Sequence, residues 1–340
     1  MPALDVFDSD AFSLQSLTAA INRIPEVPTV IGDLGIFEEA GVDTTKVSVE
    51  RLDESLSLVA ASARGGPGEA VTGEGRTLRD FRVPHFQRDD AVLAEEVQNM
   101  RAFGTESVLE TVQDRVALKM ARHTRSFDFT LEYLRLGAVN GIVLDKNGAT
   151  LLNLFTEYGI AQPAEVDFLL GTSGTDVRGK CQQMLDAIED GLDGVGMPTR
   201  VFGLAGDTFF QKLVTHTKVE STYANWQAAV SLRNDPRLPF EFGGISWVRY
   251  HTKPKAETAN SSSPLIADDR VKFVAAGVPE LFITRFAPAD YEETVNTMGL
   301  PRYAKQYPFP NGKGRAIEMQ TNPICMCTVP EALQRGKTSN

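Results

Sequence analysis

The residues best suited to chemistry in this chain are its thiols, imidazoles and glycine-rich turns. Cys325-Met326-Cys327 has the spacing of half a zinc site, yet a four-ligand site needs further Cys or His nearby, and the sequence offers only Cys181 and scattered histidines. Alternation along a buried strand explains the pair better. His85, His123, His216 and His251 each stand alone, without a neighbouring His or Glu at ligand or dyad spacing, so none is placed as a base. Gly243-Gly-Ile-Ser-Trp247 departs from the Gly-x-Ser-x-Gly nucleophile elbow at its last position. The glycines between Arg64 and Gly75 lack the Lys-Ser or Lys-Thr pair that a phosphate-binding loop needs at the start of its helix. Glu95-Glu96, Asp268-Asp269 and Glu292-Glu293 are adjacent acids in a chain with 45 of them, as expected on solvated surfaces. No catalytic residue, metal or cofactor is expected.

The elements are more informative. From Thr105 to Leu136 no Gly or Pro occurs, and Leu109, Val112, Val116, Met120, Phe127, Leu131 and Leu134 recur at steps of three and four, with His123 in the gap. Ser107 and Glu110 form a capping box at its start; Gly137 and Gly141 close it. At 1.5 Å per residue this predicts a helix of about 45–50 Å, a girder as wide as a domain.

Before it, Val47, Val49, Leu56 and Leu58 alternate as a strand. Ala63-Arg-Gly-Gly-Pro-Gly68 with Gly73 and Gly75 forms a tip, and Thr77 to Phe86 returns through Leu78, Phe81 and Val83. Arginines and acids interleave here, so this hairpin has too little apolar surface to fold alone and needs a neighbour. An acidic segment (Asp5, Asp8, Asp10) bounded by Pro25 and Pro28 precedes it as an arm. After the helix come a strand pair around Asp145-Lys-Asn-Gly148, a strand from Pro163 to Leu170, and a helix from Asp176 to Leu192. A strand over Arg200 to Leu204, a short helix over Ala205 to Val214, strand-rich stretches Phe240 to His251 and Val271 to Phe286, and a last buried strand from Arg315 to Val329 complete the chain.

Composition bounds the class. The chain has 340 residues, 42% of them hydrophobic, and a formal net charge of -11. That is enough for two domains or for one domain with large excursions, and the negative charge argues against general nucleic-acid binding. Three cysteines make no disulfide framework, in keeping with a reducing compartment. The amino terminus has no basic start followed by an apolar run, and no eighteen-residue apolar stretch occurs, which argues against secretion and membrane spanning.

The order of acidic arm, hairpin with an Arg-Gly-Gly tip, long helix, strand pair, mixed lobe and final buried strand resembles the major capsid proteins of tailed phages, more narrowly the capsid protein E family of lambda-like phages. The match is carried by Ser62-Ala-Arg-Gly-Gly66, by Asn140-Gly-Ile-Val-Leu-Asp-Lys-Asn-Gly148 leading to Pro163-Ala-Glu-Val-Asp167, and by Met319 to Ala332. The resemblance implies an α+β chain of the Hong Kong 97 type. Its parts would be an N-terminal arm (1–28), an extended loop (29–90), and a peripheral domain (91–170) on a spine helix at about 105–137. An axial domain (171–300) and a return strand of the peripheral domain (301–340) would follow. It further implies self-assembly into hexamers and pentamers around double-stranded DNA, with a scaffolding protein or domain, a portal and a decoration protein as partners. Packaged DNA would be contacted only weakly. Arg64, Gly65, Gly66, Gly68, Arg76, Arg79 and Phe81 are the candidate intersubunit contacts. Some shells of this fold are welded by an isopeptide bond from a loop lysine. From Ala61 to Asp90 this chain has arginines and no lysine, so no such weld is expected. An encapsulin-type compartment and a soluble α+β enzyme or binding module are the rival readings.

Overall fold

The computed structural model describes residues 14–24, 29–52, 76–97, 112–192, 195–224, 239–251 and 265–339. Its first half contains α1 (Leu14–Asn22), α2 (Val30–Asp33), β1 (Glu38–Gly41), β2 (Lys46–Leu52), β3 (Arg76–Arg82), β4 (Phe86–Leu93), α3 (Ala94–Val97), α4 (Val112–Asn140), β5 (Ile142–Leu144), β6 (Thr150–Asn153) and α5 (Leu154–Tyr158). The second half contains β7 (Val166–Asp167), α6 (Val177–Leu192), β8 (Arg200–Ala205), α7 (Asp207–Val214), α8 (Thr217–Ala224), β9 (Phe240–Phe242) and β10 (Ile245–Arg249). It ends with β11 (Arg270–Ala276), β12 (Phe282–Phe286), β13 (Tyr303–Pro308), β14 (Gly314–Thr321), β15 (Pro323–Cys327) and β16 (Arg335–Lys337).

Helix α4 is the spine. Its 29 residues span about 43 Å at 1.5 Å each. Val116, Met120, His123, Phe127 and Leu134 of the expected stripe are buried; residues 105–111 lie outside the described residues. The helix runs through Gly137 instead of stopping there. A side chain at Gly137 would come within 2.9 Å of the Val143 backbone, so its bareness lets β5 cross the helix closely. The helix stops at Gly141, at φ 76°, where a side chain would strike the Phe155 ring at 2.4 Å.

Two lobes meet along this spine. In the first, β13-β14-β4 form an antiparallel sheet that packs Val92, Ala304, Ile317 and Met319 against Val116, Met120 and Phe127, with Leu17 and Ile21 of α1 closing the cluster. In the second, the six-stranded order β7-β16-β11-β8-β10-β9 carries the main core, where Phe168, Phe209, Trp247 and Phe273 stack and abut one another at 5.4–6.0 Å. A third sheet, β1-β12-β15, lies under α4 and joins the lobes.

The sheet partners redraw the expected boundaries. The segment 29–90 is only in part a loop: Ile31 is buried, β1 pairs in parallel with β12, and β4 pairs with β14. Between them the hairpin proper is β2–β3. The expected strand Thr77 to Phe86 breaks at Pro84, because β3 belongs to the hairpin and β4 to the first lobe. The expected strand Arg315 to Val329 likewise splits at Asn322, whose amide donates to Pro288 O at 2.8 Å; β14 stays in the first sheet while β15 pairs with β12. Residues 301–340 thus serve all three sheets, since β16 joins the second lobe. The expected strand Pro163 to Leu170 pairs only at Val166–Asp167, because Leu169 turns the chain at φ 46°.

Candidate assembly surface

The hairpin starts as a rooted element. Val47 faces Phe81 across β2–β3, and both are buried with Val83 in the main core. The Phe81 ring lies 6.3 Å from that of Tyr158, nearly parallel, and the Arg79 guanidinium sits 4.8 Å above the same Tyr158 ring while donating to the Glu157 carbonyl. Two candidate contact residues are therefore engaged inside their own chain: Phe81 is 3% exposed, and Arg79 is a clamp on α5. Sequence reading missed this because Glu157 of α5 is 78 residues downstream of Arg79 and only the fold brings Tyr158 beneath the hairpin. Arg76 stands at the far end of β3, opposite Leu52. Arg64, Gly65, Gly66 and Gly68 lie outside the described residues. What the hairpin root presents outward is Leu78, 64% exposed, beside Asp80, which accepts from the Ser48 hydroxyl at 2.7 Å.

The spine helix holds the lobes through a buried polar row that periodicity alone did not reveal. Asp128, Glu132 and Arg135 succeed one another on one face and are all buried. Asp128 pairs with Arg302, ahead of β13. Glu132 accepts from the backbone N–H of Ile31 at 3.0 Å and from the Tyr250 hydroxyl at 3.2 Å. Arg135 pairs with Glu39 of β1 and lies 5.5 Å above the Phe37 ring. Three carriers of charge on one helix thus fix the first sheet, the second sheet and the joining sheet.

The histidines also find partners from afar. His123 Nε2 meets Asp90 at 2.7 Å, and Lys119 bridges Asp90 at 3.4 Å and Glu96 at 2.9 Å. Burial pushes the Asp90 carboxyl up, but hydrogen bonds from His123 and the Ala91 N–H, with the Lys119 charge, hold it below the ordinary value. His251 contacts Asp207, which also accepts from Arg249 at 2.7 Å. His216 Nε2 lies 3.1 Å from the Thr172 carbonyl, and His85 Nδ1 lies 2.9 Å from Asn322 Oδ1. These are ties between elements. The thiols are inert for a different reason: burial pushes Cys181 and Cys327 up to about 12 and Cys325 up to about 11. Among the described residues no group of three potential metal ligands occurs. No helix among them is long and apolar enough to cross a membrane.

Val295, Met298 and Leu300, on the loop ahead of β13, are 65%, 63% and 43% exposed. That loop is firmly held: the Thr294 hydroxyl donates to Ala289 O at 2.7 Å, Gly299 N donates to Val42 O at 2.9 Å, and Leu300 N donates to the Tyr303 hydroxyl at 2.8 Å.

A spine helix with a three-stranded sheet on one side, a second lobe built on a six-stranded sheet and a hairpin leaving between them define the Hong Kong 97-type fold, that of phage capsid subunits. The putative capsid protein of a prophage of Escherichia coli CFT073 superposes with a TM-score of 0.61 at 11% identity, covering 96% of this chain and 99% of the other. The capsid of cyanophage P-SCSP1u does so with 0.52 at 12%, covering 93% and 90%. The chain belongs to the phage major capsid protein E family, whose profile it matches over residues 13–338. It is 28% identical over 346 residues to the major capsid protein of Pseudomonas phage KPP10, covering 96% of this chain and 97% of the relative. It is 24% identical over 355 residues to that of Salmonella phage Felix O1, covering 96% of each. It is a structural subunit of the phage capsid shell, a component of the virion and not an enzyme; the family match decides against the encapsulin and enzyme readings.

Proposed function

We propose that copies of this chain close into hexamers and pentamers of an icosahedral head around double-stranded DNA, each copy laying its hairpin on the next. The observation that carries this is the hairpin root: it is anchored on Tyr158 through Phe81, while Leu78 beside it is 64% exposed. A repeated head-to-tail contact between copies closes into rings. The lobe built on β13-β14-β4 and α4 takes the peripheral position and the six-stranded lobe the axial one. A scaffolding protein or domain, a portal and a decoration protein complete assembly in the host cytoplasm. Contacts with packaged DNA are weak, since a chain of net charge -11 repels phosphate.

Light scattering and negative-stain microscopy of the purified chain test the reading. Rings or shells are expected, and deletion of residues 62–76 is expected to leave a chain with native circular dichroism that no longer assembles. A wild-type chain that stays monomeric at every concentration and salt, with its hairpin protected from protease, would overturn it.

A further inference from the structure

The outward face of α4 bears a stripe that nothing among the described residues covers. Leu118, Arg122, Arg125 and Phe129 follow one another at steps of four, three and four, so they share one line along the helix. All four are exposed, Leu118 at 56% and Phe129 at 36%. Neither Arg122 nor Arg125 has a carboxylate within ion-pair distance among the described residues, although on the adjoining face Arg115 and Lys119 share Glu96 and Lys119 also reaches Asp90. Two cations flanked by two large apolar side chains, on a chain of net charge -11, are an unusual surface to leave to water.

The chain ahead of α1 is the complement. Residues 1–13, MPALDVFDSDAFS, contain Asp5, Asp8 and Asp10 and no basic side chain, with Leu4, Val6, Phe7 and Phe12 between and beside the acids. This segment joins the described chain at Leu14, and α1 is itself packed against α4 through Leu17 and Ile21, which share a cluster with Val116 and Met120. Thirteen residues can reach up to about 43 Å, and a helix is about 10–12 Å across, so the segment is long enough to pass over α4. Acid meets arginine, and apolar meets apolar.

We propose that the acidic N-terminal segment docks on the Leu118–Phe129 stripe of its own chain's α4, its aspartates against Arg122 and Arg125 and its aromatic residues against Leu118 and Phe129. This inference does not rest on the shell reading, because it concerns the single chain before assembly.

The test is a cysteine pair, Phe7→Cys with Phe129→Cys, in the full-length chain kept unassembled by dilution. The native cysteines are buried and do not compete. A disulfide within one chain is expected under mild oxidation at low salt, mapped by peptide mass. Its yield should drop several-fold at 1 M salt, where charges are screened over about 3 Å. Reversing the stripe with Arg122→Glu and Arg125→Glu should lower the yield likewise, and adding Asp5→Lys, Asp8→Lys and Asp10→Lys should restore it. The substituted side chains lie on the surface or in the terminal segment, and circular dichroism of each variant checks that the fold is kept. A yield indifferent to both reversals would overturn the proposal, as would a disulfide found only between different chains, which would give the stripe to a second copy. Loss of the disulfide on adding a duplex DNA fragment at physiological salt, with the reversals silent, would give it to nucleic acid and overturn it too.

Discussion

Asp128 on the spine helix and Arg302 at the threshold of β13 meet at 2.5 Å with side chains only 4% and 5% exposed. The guanidinium also donates to Ile21 O at 3.4 Å, so one ion pair ties α1, α4 and β13 together. A buried pair gains little over apolar residues of similar volume, but breaking it strands a charge without water. Asp128→Ala is therefore expected to cost about 3–5 kcal/mol, read as a lower urea midpoint of the unassembled chain. Asp128→Leu combined with Arg302→Met should recover most of that loss. A double variant no better than the single one would show that the pair also fixes geometry.

Lys272 supplies the pH dependence. It faces Arg335 across β11–β16, with Arg270 two residues away; burial first, then these like charges, outweigh the pull of Glu165 and lower its pKa to about 8. Between about 8 and 10.5 the unfolded chain binds the extra proton, so stability rises with pH across that window and the penalty is in full force below it. Lys272→Met is expected to raise stability at pH 7 and to narrow its advantage steadily up to pH 10.5. Urea midpoints at half-unit pH intervals would check this, and parallel pH profiles of the two chains would refute it.

Gly299 is where the exposed apolar loop touches the body. A side chain there would lie 1.9 Å from the Phe286 carbonyl oxygen, and one at Gly41 would lie 2.2 Å from Gly299 O. Backbone cannot yield as a side-chain tip does. Gly299→Ala is expected to lower stability by roughly 1–3 kcal/mol and to displace Val295 and Met298, so that assembly falls further than stability alone predicts. Thermal melts beside light scattering separate the two effects.

The hairpin root offers an anchoring test. Phe81→Ala removes a ring packed on Tyr158 and is expected to cost about 3–5 kcal/mol if the hole stays open, and to make the hairpin the first site cut by protease. A protease pattern identical to wild type would mean that Arg79 over Tyr158 suffices as the clamp.

Mature shells should carry no covalent weld from the hairpin. A guanidinium is always protonated and delocalised and cannot attack a side-chain amide, and the hairpin between Ala61 and Asp90 carries no lysine. Particles boiled in detergent are expected to run as a single band near 37.1 kDa. A ladder that survives reducing agent, with peptides mapped to this segment, would refute it.

Local pattern sufficed for what depends on near neighbours in sequence. The apolar period of α4 predicted its existence and its buried side, because residues three and four apart share a helical face whatever surrounds them. The burial of the strand carrying Cys325 and Cys327 was legible in its apolar run, and the family resemblance in the order of the elements. Tertiary structure alone decided which charges are buried. No spacing in the sequence marks Asp128, Glu132 and Arg135 as buried; Arg302, Ile31, Tyr250 and Glu39 reach them from positions 96–174 residues away. It also buried Phe81 against Tyr158 and laid the half-buried Arg79 over the same ring, and it cut two strands continuous in the sequence pattern at Pro84 and Asn322. The reason is the same in each case. A strand's partner and a buried ion's counter-ion are chosen across the fold, by which segments the spine helix brings together, and no spacing within a segment records that choice.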